Sequence, residues 1–294
     1  MIRLALRVPR AEAELVLAAL LELAPAGVEE TQSDGGETVE YAVYGAPGEL
    51  PALPDLTAAV GDALVEITTT EIADDWGERW KEFHRPVLIS PPEPGGPIPA
   101  LRVRPPWEPS APGGDGVREI VIDPGQAFGT GGHASTRLCI ALMLELASLS
   151  ATRGSLLDIG TGSGVLAIAA GKLGYGPLLG LDNESESVEA SIENAEVNGV
   201  QLEARRFDLR HEALPWSSLE QRPAGPLLVT ANLLRPLLIE LARKLPQDPA
   251  ELIAGGLLRE EVDEVSQALC DGTGLTERRR LEEGEWAALW LTAV

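Results

Sequence analysis

Apolar and polar positions follow two regimes along the chain. At the start, Ile2-Arg-Leu-Ala-Leu-Arg-Val alternates as a half-buried strand does. Residues 11–23 then place Leu15, Ala18 and Ala19 at helical spacing. Strand character returns over 27–32 and 38–44, around the turn signal Ser33-Asp-Gly-Gly. Strand, helix, strand, strand is the start of a ferredoxin-like βαββ plan. Pro47-Gly-Glu-Leu-Pro-Ala-Leu-Pro interrupts it, with a short helix expected over 55–64 and a β-branched strand over 65–70. From Leu156 the pattern changes. Strand-like segments over 156–159, 178–182, 202–207, 226–232 and 252–258, most of them apolar, alternate with helical patterns over 165–170, 185–198, 234–245 and 260–269. Such alternation predicts a parallel sheet covered by helices, an α/β class. Residues 275–281 and 286–292 read as two closing strands, an antiparallel hairpin at the sheet edge.

The chain is organised around Leu156-Leu-Asp-Ile-Gly-Thr-Gly-Ser-Gly164. A buried strand runs into a glycine at every second position, and a helix resumes at Val165. Strand, Gly-rich turn and helix N-terminus make a pocket for part of a nucleotide-like ligand. A phosphate-binding P-loop needs Gly-x-x-x-x-Gly-Lys-Ser/Thr, which is absent. A dinucleotide site wants Gly-x-Gly-x-x-Gly, but here Gly160, Gly162 and Gly164 are evenly spaced and Val165 takes the third dinucleotide position. S-adenosylmethionine carries no phosphate and needs close backbone approach, at Gly160 and Gly162, plus a carboxylate for its ribose. Asp182, at the tip of the next strand, is placed to accept from both ribose hydroxyls. Asp158 can hold the turn or the ligand's ammonium group. Asp208 follows the third strand, where an adenine amino group is expected. Asn232 ends the fourth, either as a strand-end cap or as acceptor of a hydrogen bond from an amine. The pattern favours a class I methyltransferase, with a dehydrogenase-like protein and a catalytically inactive relative as alternatives.

Two further stretches carry candidate chemistry. Trp76, Trp80 and Phe83 share one helical face, which either packs on the core or walls a ligand cleft. Asp123-Pro-Gly-Gln-Ala-Phe-Gly-Thr-Gly-Gly-His133 precedes an apolar helix over 138–149. Its place upstream of the central strand suits a ligand-covering loop, with Phe128, Gly129 and Thr130 at the ligand. Thr136, in the helix's first turn, can offer its hydroxyl. His133 serves either as a loop organiser or chemically.

Composition narrows the classes. The 294 residues suffice for a large domain and a small one, and 44% are hydrophobic. No apolar run reaches membrane-helix length, and the N-terminus lacks the apolar core of a signal peptide. Cys139 and Cys270 stand far apart, outside any Cys-x-x-Cys pair, as expected in a reducing cytoplasm. With 23 basic against 46 acidic residues the net charge is −23, which speaks against nucleic acid as a partner and suits either solubility or steering of a basic protein.

Several motifs together resemble one family, the methyltransferases of ribosomal large-subunit protein eleven. They are Trp76-x-x-x-Trp80-Lys81, Pro86-Val87, Val103-x-Pro-Pro-Trp107, Asp123-Pro-Gly-x-Ala-Phe-Gly-Thr-Gly-x-His133, Asp158-Ile-Gly-Thr-Gly-Ser-Gly-Val-Leu-Ala-Ile-Ala, Asn194-Ala-x-x-Asn198-Gly, Ala231-Asn-Leu and Gly284-Glu-Trp. The loop ending at His133 is the most specific of them. The resemblance implies a class I, Rossmann-like, seven-stranded S-adenosylmethionine-dependent domain over 73–294. It also implies a small ferredoxin-like substrate-recognition domain over 1–55 and a linker over 56–72. The implied products are methylated lysine ε-amines and N-terminal α-amine of that ribosomal protein. By position the cofactor contacts would be Thr136, Gly160, Asp182 and Asn232, with Asn232 also the catalytic candidate. No metal and no membrane contact are expected, and a monomer is.

Overall fold

The computed structural model describes residues 2–13, 16, 29–32, 38–45, 66–71, 84–91, 98–110, 116–124, 129–215, 225–245 and 249–293. The chain divides into two compact units, Met1–Phe83 and His84–Val294.

The first unit carries strands β1 (Ile2–Pro9), β2 (Glu29–Gln32), β3 (Thr38–Gly45) and β4 (Glu66–Glu71) in one sheet, in the order β2-β3-β1-β4. Every pairing is antiparallel. The period-two pattern sets the register. Leu4, Leu6 and Val8 lie opposite Val43, Tyr41 and Val39, so the apolar side chains share one face. Arg7 lies opposite both Glu40 and Glu66 and forms an ion pair with each, at 3.0 and 2.9 Å. Residues 66–71 of the span expected as a linker are strand. They form β4, which fills the hydrogen-bonding edge of β1, and the two units divide after Phe83. The body of the helix expected over 11–23, the helix over 55–64 and the Trp76/Trp80/Phe83 face lie outside the described residues.

The second unit opens with a three-stranded sheet of β5 (Val87–Ile89), β6 (Ala100–Arg104) and β7 (Val117–Val121). Helix α1 (Ala134–Leu149) follows. Then β8 (Leu156–Ile159), α2 (Val165–Leu173), β9 (Leu178–Asp182), α3 (Ser185–Val197), β10 (Leu202–Arg206), β11 (Leu228–Asn232), α4 (Arg235–Lys244), β12 (Glu251–Leu258) and α5 (Val262–Thr273) alternate. The chain closes with β13 (Thr276–Glu283) and β14 (Trp286–Thr292). Their sheet has the order β10-β9-β8-β11-β12-β14-β13. The first five strands are parallel. β14 runs antiparallel between β12 and β13, which leaves the earlier strand of the closing hairpin at the edge.

Side chains alternate between two cores across this sheet. Leu156, Leu178, Leu228, Ile253 and Trp290 pack toward α1 and α2, while Leu157, Leu179, Val229, Leu252 and Leu291 pack toward α4 and α5. Three helix-ending glycines here are left-handed, Gly174 after α2 (φ 94°), Gly199 after α3 (φ 64°) and Gly274 after α5 (φ 73°), and close the helices with backbone bonds.

Helices α4 and α5 meet where a side chain has no room: a Cβ on Gly272 would overlap the Ala242 carbonyl. Gly272→Ala is therefore expected to destabilise the protein by about 1–3 kcal/mol, read from urea unfolding midpoints. An unchanged midpoint would show that the helices separate freely.

Candidate active site

Strands β8, β9, β10 and β11 end on the same edge of the sheet because they are parallel. The order reverses between β8 and β11, and the crevice at such a switch point is where ligands bind in this architecture. The turn after β8 lines it. Gly160, Gly162 and Gly164 all have positive φ, at 72°, 52° and 80°. Gly160 N–H and Thr161 N–H donate to the Leu181 carbonyl at 2.8 and 3.0 Å, and Gly162 N–H donates to Asp182 Oδ2 at 2.8 Å. A Cβ on Gly160 would overlap Leu233, so only glycine fits there.

A cavity of about 480 Å³ lies over this turn. One end is made by Gly160, Gly162, Asp182, Asn183, Glu184 and Ser187, and the other by His133, Ser135, Asn232, Leu234, Gly256 and Trp286. A second cavity, about 210 Å³, shares Gly160, Asp182 and Leu233 and extends to Phe207, Asp208 and His211.

The expected residues separate into groups. Gly160, Gly162, Asp182 and Asn232 meet at the larger cavity. Asp182 accepts Gly162 N–H on one oxygen and Glu184 N–H on the other, at 3.1 Å, and an ionised carboxylate retains lone pairs for further donors. Asn232 donates Nδ2–H to Thr136 Oγ1 at 3.3 Å, and its Oδ1 is buried with no hydrogen-bond partner. Such an orphaned acceptor costs on the order of 1–3 kcal/mol, which a ligand donor would recover. Asp208 lines the smaller cavity, where its Oδ2 pairs with His211 Nδ1 at 2.7 Å and Oδ1 accepts Arg210 N–H at 2.8 Å. The His211 contact holds the Asp208 carboxyl below its ordinary range.

Two candidates stand back from the cavities. Asp158 lines neither cavity. Its oxygens accept Thr161 and Thr230 hydroxyls at 2.7 and 2.6 Å, which ties the turn to β11. Thr136 is fully buried against Asn232, and its neighbour Ser135 lines the larger cavity. Of the loop candidates, Gly129 (φ 99°) is buried with its carbonyl on Ser163 Oγ at 2.6 Å, and Thr130 is half-buried. Phe128 lies outside the described residues. His133 caps α1, with Nδ1 accepting Ser135 N–H at 3.3 Å, and meets the Trp286 ring edge-on at 4.6 Å. Burial, then the Arg137 charge, push its pKa below the usual imidazole value. Trp286, Leu233 and Gly256 were not anticipated in the site. The first two fall within motifs noted above, but nothing local marks them as cavity walls.

The family model for ribosomal protein L11 methyltransferase (PrmA) matches residues 50–293. The chain is 33% identical to the ribosomal protein L11 methyltransferase of Syntrophotalea carbinolica over 311 residues, covering 96% of this chain and 94% of that protein. It is 32% identical to the namesake from Sorangium cellulosum, covering 89% and 80%. The crystal structure of a ribosomal protein L11 methylase from Lactobacillus delbrueckii subsp. bulgaricus is similar, with a TM-score of 0.55 and 28% identity, covering 70% of this chain and 98% of that one.

Asp158 also gives a stability signature. Burial raises its pKa from 3.8 to about 6, against the opposing Thr230 and Thr161 hydrogen bonds. Between those values the folded protein keeps a proton that the unfolded chain has lost, so the group's contribution to stability falls as pH rises through that window. Asp158→Asn removes the titration. Between pH 5 and 7.5 the mutant should gain about 1 kcal/mol relative to the native protein in urea unfolding. A difference independent of pH would place the ionisation elsewhere.

Proposed function

The chain belongs to the ribosomal protein L11 methyltransferase family, and from that membership we propose that it methylates lysine ε-amines and the N-terminal α-amine of ribosomal protein L11. The methyl donor, S-adenosylmethionine, supplies an electrophilic methyl group on a sulfonium. The residues present fit that cofactor. A cradle at Gly160 that any Cβ would fill admits close backbone approach, and Asp182 stands at the strand tip with acceptor capacity for ribose. Gly160, Gly162 and Asp182 would hold the cofactor, and the Asp208 side of the smaller cavity would take the adenine.

The observation that carries the reading of the acceptor end is the orphaned Asn232 Oδ1. In our reading it accepts an N–H of the incoming amine and aims the nitrogen lone pair along the line of transfer. Orientation is the protein's main contribution to such a displacement. An ammonium has no lone pair, and an unperturbed lysine titrates at about 10.4, so the amine sheds its proton to water before entry. Thr136 holds the amide plane of Asn232.

The first unit reads as the substrate-recognition domain, and its antiparallel order β2-β3-β1-β4 supports a ferredoxin-like plan. The seven-stranded order of the second sheet supports the class I assignment. A net charge of −23 favours a basic protein over RNA as acceptor. Both cysteines are free, which supports a cytoplasmic setting.

The test is incubation with methyl-labelled S-adenosylmethionine and a lysate lacking this enzyme. One labelled small basic protein is expected. No label despite intact cofactor binding would leave a non-catalytic binding module. Asn232→Ala should lower transfer by roughly two orders of magnitude while the thermal midpoint stays near that of the native protein. Native turnover in that variant would remove Asn232 from the reaction.

A further inference from the structure

The Asn194-Ala-x-x-Asn198-Gly segment has no part in the chemistry above, yet both asparagines are buried, at 4% and 8% exposure. Their side chains bond outside their own helix. Asn198 Oδ1 accepts Val121 N–H at 2.9 Å and its Nδ2 donates to the Val121 carbonyl at 2.7 Å, as a neighbouring strand would. Asn194 Oδ1 accepts Asp123 N–H at 3.0 Å, and its Nδ2 donates to the Ser163 carbonyl at 2.9 Å. Ser163, fully buried within the glycine turn, donates Oγ–H to the Gly129 carbonyl at 2.6 Å. Asp123 and Gly129 are thus tied to one residue of the turn, Asp123 through Asn194 and Gly129 directly. The approach is close: a Cβ on Gly129 would sit 3.3 Å from Ser163 Oγ and 3.6 Å from Val165 Cγ1.

We propose that Ser163 and Asn194 are positioning residues for the cofactor site, a polar clamp that sets the register of Gly129–His133 against the glycine turn. The proposal rests on the methyltransferase reading above. Neither residue lines either of the two cavities described above. Their effect passes through the segment they hold, which runs into His133 and Ser135 on the cavity wall and Thr136 on Asn232. Hydrophobic packing alone tolerates small slips of a loop. Hydrogen bonds from two buried side chains of fixed length do not, because a slip leaves buried donors unpaired.

The test compares Ser163→Ala and Asn194→Ala with Thr273→Ala. Thr273 is an equally buried hydroxyl that serves only the end of α5, bonding Leu269 O and Leu275 N–H. Calorimetric titration with S-adenosylmethionine and with its demethylated product gives Kd, thermal unfolding gives Tm, and steady-state kinetics separate KM from kcat. Ser163→Ala should raise both cofactor Kd values roughly tenfold, one lost hydrogen bond's worth, and leave KM for the protein acceptor unchanged. Asn194→Asp keeps the acceptor for Asp123 N–H but not the donor to Ser163 O, and should fall between native and Asn194→Ala. Thr273→Ala should lower Tm with native Kd. Cofactor Kd within twofold of native in folded Ser163→Ala overturns the clamp, and that single-hydroxyl variant decides if Asn194→Ala does not fold. A native protein that fails to bind S-adenosylmethionine overturns the methyltransferase reading and the clamp with it.

Discussion

The buried Asp158 carboxylate is the constraint around which the site is arranged. It sits at 1% exposure on the central strand. An unpaired charge there would cost several kcal/mol, and burial alone drives the group toward its neutral form. Two hydroxyls offset that cost, from Thr161 in the turn and Thr230 on the adjacent strand β11. Because both bonds must be kept, the turn and β11 cannot shift independently. Gly160 and Asn232, on either side of the crevice, inherit that spacing.

Close backbone approach does the rest. Leu233 follows Asn232 and donates its N–H to the Gly255 carbonyl at 3.1 Å. A Cβ on Gly256 would meet the Leu233 carbonyl, and one on Gly160 would meet the Leu233 side chain. The β12–β14 register shifts between Ala254 and Leu257, a bulge that admits this crossing. Leu233 and Leu237 border both cavities, Leu233 with its side chain against Gly160 and its backbone against Gly256.

The inner parallel strands β8, β9, β11 and β12 were legible because they read as apolar runs, and α4 and α5 because they read as 3.6-residue stripes. Asp182 and Asn232 were legible as polar residues ending such runs. What escaped depended on contacts distant in the chain. The strand Val87–Ile89 is too short to show a period. The partner of β4 is β1, at the far end of its unit, so its strand character did not say which domain it joined. The tie from Asp158 to Thr230 spans 72 residues of sequence, and that from Thr136 to Asn232 spans 96. Trp286 reaches the cavity only because β14 is threaded inside β13.

On the proposed function, an amide suits the tip of β11 better than a carboxylate does. An anion beside an amine favours the ammonium form and raises its pKa, which removes the lone pair that transfer requires. An amide oxygen accepts an N–H while carrying no net charge, so it orients the amine with less bias toward the protonated state. Its weakness is rotational freedom, since an amide aims well only if its plane is held. Thr136, fully buried, bonds the Nδ2 of Asn232 and leaves Oδ1 as the free acceptor. Asp158, the buried acid on β8, spends its oxygens on the Thr161 and Thr230 hydroxyls and lines neither cavity.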